Sequence, residues 1–462
     1  MSNPESAASW DRRTFCRTAL GFSFLAMETN RLAAQAAVSP SPAISSNNPA
    51  SSNNPASSDN PAALPSAGKE IARLPMAAQC VASVPPETHP LLLVATGDTL
   101  RCFDCQTPRQ PKELWNLRAP GPPPHRDNPP QGPRPNPIHD IAWQIDCFSS
   151  DRPRGFYFAT AQVDQVIVWY WPPRILIGPQ LAPPAPGAEP ARANYNLLTP
   201  PDIVRRSVRA VCFLPPDDRY VCGASEDRMV HVWDLRDPNR KIVYSLTGHE
   251  NAVYSLSAPN RLDLNHKHVI LASGGADGRI ILWNIAQGKQ IRSLEVPIRE
   301  DRICPIITSL AFWQDRLISA SREQNVIYVW DPDKGESVRK LEFPSPKLLE
   351  KIRGQDPPPP RKVLYERTGC GSIHIYGTYL ICGEHRVRYL VNPVLPGRRP
   401  EAEFLPGSIL VWNLENGELV GALPGHPGGI NSLTTIPIPK GNPLLVSSGG
   451  GEIRLWELDL PR

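Results

Sequence analysis

Neither sign of charge dominates this chain of 462 residues: 49 Lys and Arg stand against 45 Asp and Glu, a net +4. Without the first 36 residues the balance is +3, from 45 basic and 42 acidic side chains. Such a balance gives no argument for a nucleic-acid partner. The apolar stretch Ala19–Met27 is well short of the roughly 20 residues that a membrane-spanning helix needs. No Walker, dinucleotide-binding or kinase motif occurs. The ten cysteines are scattered through the sequence. Cys102 and Cys105 have a Cys-x-x-Cys spacing, but positions three apart on a strand face opposite sides. No second pair stands nearby, which argues against zinc. His266 and His268, with Asp263 and Asn265, read as a solvated polar loop. No catalytic residue, metal or cofactor is assigned.

What the chain has in abundance is proline, 55 residues clustered outside the apolar runs, and a recurring unit that is clearest at residues 248–284. Gly248-His249 opens the unit, the apolar runs Ala252–Leu256 and His268–Ser273 follow, and a Gly-Gly-Ala-Asp-Gly turn leads into Arg279–Asn284. Short apolar runs bounded by Gly and Asp clusters are strands joined by tight turns. These runs are apolar on both faces, as expected for strands covered on both sides.

The unit resembles one repeat of the WD-repeat β-propeller family, marked by Gly-His near its start and Trp-Asp at its end. The resemblance implies a buried hydrogen-bond chain of His249, Ser273, Asp277 and Trp283, which stabilises only when every member is satisfied. A Ser, a His and an Asp in one repeat suggest a hydrolase triad, but their spacing belongs to the repeat, so the four are read as structural.

Repeats are counted by their terminal aromatic positions, Phe103, Trp169, Trp233, Trp283, Trp330, Trp412 and Trp456, at intervals of 44 to 82 residues. The count is seven, and intervals above roughly 40–45 residues mean loop insertions. The chain ends soon after Trp456, leaving the seventh blade without an outer strand. Residues 69–75 resemble the outer strands Gln290–Pro297 and Ser337–Pro344. The expectation is an all-β, seven-bladed propeller of four-stranded antiparallel blades over 69–462. Its ring is closed by the amino-terminal strand, which completes the last blade.

Before the propeller, Arg12-Arg13, Phe15, the apolar stretch and Ala34-Gln35-Ala36 resemble a twin-arginine export signal with its cleavage site, residues 1–36. Such signals carry folded cargo in bacteria and chloroplasts, so the expected destination is the periplasm or thylakoid lumen, with the cytoplasm as the alternative. Residues 37–68, rich in Ser, Asn, Pro and Ala, read as a disordered tether.

Insertions are expected at 119–137, 175–204, 345–370 and 386–407. The Pro- and Ala-rich 175–204 reads as a spacer on the opposite face. The other three share one face and carry +1, +3 and +2, together +6. Arg361, Lys362, Arg386, Arg388, Arg398 and Arg399 are therefore the candidate binding rim, suited to an acidic protein partner. The function expected is a non-enzymatic scaffold that binds proteins through this loop-decorated face. The alternative is an exported enzyme or small-ligand binder using the central channel, marked by titratable side chains with displaced pKa values lining it.

Overall fold

A computed structural model describes residues 64–83, 90–119, 137–143, 156–163, 165–171, 195–198, 207–214, 219–237, 241–259, 270–298, 304–391, 400–436, 438 and 442–460. The export signal 1–36, all but the last residues of the tether, the interior of 119–137, most of 175–204, and Arg398 and Arg399 lie outside the described residues.

The described chain is all-β apart from one helix, and its strands form seven antiparallel sheets. Strand β1 (Gly68–Leu74) comes first in the chain but joins the last sheet. The first sheet is β2 (Cys80–Ser83), β3 (Leu91–Thr96), β4 (Thr99–Asp104) and β5 (Lys112–Arg118). The second is β6 (Asp140–Trp143), β7 (Phe156–Gln162), β8 (Gln165–Trp171) and β9 (Tyr195–Leu198). The third is β10 (Val208–Leu214), β11 (Tyr220–Ser225), β12 (Met229–Asp234) and β13 (Ile242–Thr247). The fourth is β14 (Val253–Ser257), β15 (Ile270–Gly275), β16 (Arg279–Asn284) and β17 (Lys289–Glu295). The fifth, β18 (Ile307–Trp313), β19 (Arg316–Ser321), β20 (Val326–Asp331) and β21 (Glu336–Glu342), precedes helix α1 (Pro346–Arg353). The sixth holds β22 (Val363–Tyr376), β23 (Tyr379–Leu390), β24 (Glu401–Leu405), β25 (Ser408–Asn413) and β26 (Leu419–Pro424). The seventh is β27 (Ser432–Ile436), β28 (Leu444–Gly449) and β29 (Glu452–Leu458), and β1 lies along β29 as its fourth strand.

The middle strands are buried on both faces because each sheet is covered by a neighbour on either side. Along β16, Ile281 and Trp283 pack with Leu214 and Val232 of the third sheet, while Ile280 and Leu282 pack with Ile307 and Leu317 of the fifth. The two-residue period of a strand sends alternate side chains to opposite faces. Each such aliphatic side chain, fully buried, contributes about 1.5–3 kcal/mol.

Outer strands behave differently, and four of them bury a single leucine, Leu246, Leu294, Leu341 and Leu423. Most also carry one extra residue beside the partner strand's aromatic: Leu114, Val243, Ile291, Val338 and Val420. Ile71 is the same bulge in β1, between Glu70 opposite Trp456 and Ala72 opposite Leu455. A bulge bends the strand and spoils a free edge for further pairing.

The first strands of successive sheets adjoin one another, β2 to β6 and so on to β27, which adjoins β2. They lie side by side without forming a ladder, and short polar side chains take up their free backbone groups. Val81 N–H donates to Ser432 Oγ at 3.2 Å, Phe312 N–H to Ser257 Oγ at 3.2 Å and Ile373 N–H to Ser309 Oγ at 3.2 Å. Val211 N–H donates to Asp140 Oδ2 at 3.0 Å.

Candidate interaction face

The insertions 345–370 and 386–407, expected as loops of a basic binding rim, are largely regular structure where described. Residues 346–353 are helix α1. The first half of β22 and the second half of β23 continue their hairpin beyond the sheet, and β24 pairs alongside, from Arg386 opposite Leu405 to Leu390 opposite Glu401. This three-stranded ribbon rises beside the turn that joins β19 to β20, where Arg367 binds Glu323 at 2.7 Å. Gly369 permits the approach, since a Cβ there would lie 2.3 Å from the Arg322 carbonyl oxygen.

The expected basic rim is corrected by this ribbon. Arg386 and Arg388 are each only 5% exposed. Arg386 forks onto Asp356 with both contacts at 2.6 Å. Arg388 holds Glu366 at 2.7 Å and Glu403 at 3.4 Å. Arg361 pairs with Glu401, and Lys362 is exposed. A sum of charges along the sequence does not show this, because Arg386 and Arg388 are buried in pairs with acids of the same two insertions and are not presented at the surface. Beneath lies Arg353 with Glu384 at 3.3 Å, their side chains 2% and 0% exposed. Burial pushes the Glu384 carboxyl up, against the pull of Arg353, Arg386 and the Ser408 N–H.

At the ribbon end opens a cavity of about 1940 Å³ lined by all seven first strands. Its wall holds His139, Asp140, Arg209, Tyr254, Arg322 and His385. Burial pushes Asp140 up to about 7, although Val211 and Ile141 N–H groups donate to it. Burial and the nearby Arg209 bring His139 down to about 3. Burial and Arg322 likewise lower His385, which packs edge-on against Phe404 at 5.8 Å. Arg209 binds Glu226 and lies over the Tyr254 ring at 5.9 Å. Among the described residues Arg322 has neither an ion pair nor a side-chain hydrogen bond, and its Nε is buried. The sequence offered no signal for this group, whose members are spread from 139 to 385 and meet only in space.

Away from the cavity, inside the fourth sheet, the four residues of the expected chain lie in hydrogen-bond contact. His249 Nδ1 is 3.1 Å from Asp277 Oδ2, and its Nε2 is 2.8 Å from Ser273 Oγ. Trp283 Nε1–H donates to the same Ser273 oxygen at 2.8 Å. The Asp277 carboxylate also accepts from the N–H groups of Glu250 at 2.8 Å and Arg279 at 3.1 Å. Burial would raise Asp277, but the His249 hydrogen bond and charge and these two N–H groups outweigh it and hold it below its usual value. With every acceptor filled and all four side chains buried, nothing is left to attack a substrate.

The family model for the WD domain, G-beta repeat, matches residues 204–234, 240–284 and 417–457. These three segments are similar to WD repeats. The chain is 24% identical over 249 residues to CCR4-associated factor 4 of Saccharomyces cerevisiae, covering 49% of this chain and 33% of that protein. It is 47% identical over 49 residues to the general transcriptional corepressor TUP1 of the same yeast, 11% of this chain and 6% of TUP1. Against the small ribosomal subunit protein RACK1y of Oryza sativa it is 30% identical over 125 residues, 27% of this chain and 33% of the relative. The chain thus spans a third or less of the length of these relatives.

The repeats differ in how they fill the buried chain. In the seventh sheet His426 Nε2 and Trp456 Nε1 both meet Ser447 Oγ at 2.8 Å, but Gly450 stands where an Asp would, and His426 Nδ1 has only Glu452 at 3.7 Å. In the third, Gly223 takes the serine position and leaves Trp233 Nε1 unpaired. There His231 bonds Asp227 at 2.8 Å and Ser245 at 3.1 Å from a different strand position. Cys102 and Cys105 belong to separate packing clusters and are free thiols. Cys212 lies directly opposite Cys222, also as free thiols.

Proposed function

We propose that the chain is a seven-bladed WD-repeat propeller, closed by β1 in the last blade, that acts as a non-enzymatic protein-interaction scaffold and binds through the ribbon face. One observation carries this reading: the ribbon stands beside the channel mouth, tied to the fifth sheet by Arg367–Glu323 and to helix α1 and the loop after it by Arg353–Glu384 and Arg386–Asp356. Binding residues gather on surface segments held by a rigid scaffold. The relatives' names, an associated factor, a corepressor and a ribosomal subunit protein, are those of components of larger assemblies. In this reading residues 1–36 direct export of the folded propeller and 37–68 tether it.

The displaced pKa values in the cavity favour the second reading, a small-ligand or catalytic channel. Their causes weigh against it. Both Asp140 oxygens are occupied by backbone N–H groups, and Arg209 is committed to Glu226. The cavity is also larger than the roughly 300–1,000 Å³ usual for a small-molecule site. Capture from the native source followed by cross-linking at Lys347, Lys351 and Lys362 tests the scaffold reading. A protein cross-linked to these lysines is expected. Cross-links confined to the opposite end refute the ribbon face, and no captured protein refutes the scaffold.

A further inference from the structure

We propose that Arg322 anchors a carboxylate-binding subsite at the channel mouth, which takes an acidic side chain from a protein segment entering at the ribbon face. This rests on the scaffold reading and names the chemistry that its partner must offer.

Three arginines line the cavity, Arg118, Arg209 and Arg322. Arg118 binds Asp98 at 2.9 Å and Arg209 binds Glu226. The carboxylate next to Arg322 in sequence, Glu323, is taken by Arg367 at 2.7 Å. The acidic side chains around the mouth are taken too, Glu401 by Arg361, Glu403 by Arg388 and Glu452 by Arg454. Arg322 alone among the lining arginines has no counter-ion in the described residues.

A guanidinium stays charged at any physiological pH, and a charge withdrawn from water without a partner is unfavourable. Burial lowers the Arg322 pKa, which is the same penalty seen from the proton's side. Its Nε is buried, while the residue as a whole lines the cavity and is partly exposed. Two terminal N–H groups match the two oxygens of a carboxylate. Tyr254, which lines the same cavity, offers a further hydroxyl donor.

One unmatched positive charge suits a monoanion. A phosphate dianion would leave one negative charge uncompensated, because the other lining arginines, Arg118 and Arg209, are already paired with Asp98 and Glu226. The cavity volume, about 1940 Å³, has room for a chain segment rather than a lone ion, and Pro360, Leu390 and Phe404 offer it apolar contact at the ribbon side. The backbone of Arg322 packs directly against that of Gly369 in the ribbon, which places the arginine at the ribbon side of the mouth.

The probe is a capped tripeptide with a central glutamate, observed by saturation-transfer NMR on the full chain, beside its glutamine and phosphoserine counterparts. The glutamate peptide is expected to bind about tenfold more tightly than the glutamine peptide, the scale of one charge-assisted hydrogen-bond pair. Arg322→Gln should abolish that preference and Arg322→Lys should keep part of it. If Arg322→Gln does not fold, Tyr254→Phe serves instead and should weaken the preference severalfold. Equal binding of the two peptides, or a preference that survives Arg322→Gln, overturns the subsite. Tighter binding of phosphoserine overturns the carboxylate assignment. A captured partner unaffected by Arg322→Gln refutes the subsite and leaves the scaffold. A glutamate preference with no captured partner refutes the scaffold and leaves the subsite.

Discussion

Asp277→Ala should destabilise the protein by about 2–4 kcal/mol. The carboxylate accepts from His249 Nδ1–H and from two backbone N–H groups, Glu250 and Arg279. The His249 side chain is 1% exposed, so no water replaces its lost partner. An orphaned buried donor costs about 1–3 kcal/mol. The two backbone groups are only part-buried and recover much of their loss from water, adding about 1 kcal/mol between them. Urea unfolding of wild type and variant gives the difference directly, provided the slopes agree. Asp277→Asn keeps one acceptor oxygen and should fall between the two. The folded pKa of Asp277 is depressed, so its stabilisation is fully present above the unfolded value near 3.9 and is lost as pH falls through the folded one. The variant should therefore also show a shallower loss of stability below about pH 4. A cost under about 0.5 kcal/mol, within the range of an ordinary surface change, would refute the buried chain. Lost partner capture at unchanged stability would make Asp277 a binding residue.

His139 and His426, lowered to about 3, and His374, lowered to about 4, all owe their shift chiefly to burial. The unfolded chain protonates them near pH 6.5 while the folded one does not, so stability should drop as pH falls from about 6.5 toward 4. Asp140, raised to about 7, binds its proton in the folded state and offsets one of the three over the same window. Thermal midpoints that do not change between pH 7 and 5 would contradict these burials. Deleting residues 64–75 removes β1 from the edge of β29 and should lower the thermal midpoint. An unchanged midpoint would mean that β1 contributes nothing there. Arg353→Ala leaves Glu384 buried without its partner and should cost about 3–5 kcal/mol, read by urea unfolding, whereas Lys362→Ala should stay within about 0.5 kcal/mol. Arg12→Lys with Arg13→Lys should hold the full-length chain in the cytoplasm with its first 36 residues attached, and fractionation of the wild type to the cytoplasm would remove the export proposal.

The sequence by itself determined what depends on local pattern. Runs apolar on both faces read as covered strands, and Ile270–Gly275 and Arg279–Asn284 are such strands. The shared pattern of Lys69–Pro75, Gln290–Pro297 and Ser337–Pro344 marks edge strands, each with a β-branched residue in its bulge. Only the tertiary structure decided which charges are free. Arg386 and Asp356 are 30 residues apart in the chain, and Arg367 and Glu323 44 apart, yet each pair is in contact. Because a charge acts over distance in space and not in sequence, Arg386 and Arg388 of the insertions are buried in ion pairs and are not available to a partner. By the same rule Arg322, the one lining arginine without a counter-ion among the described residues, lies in a turn that no local pattern singled out.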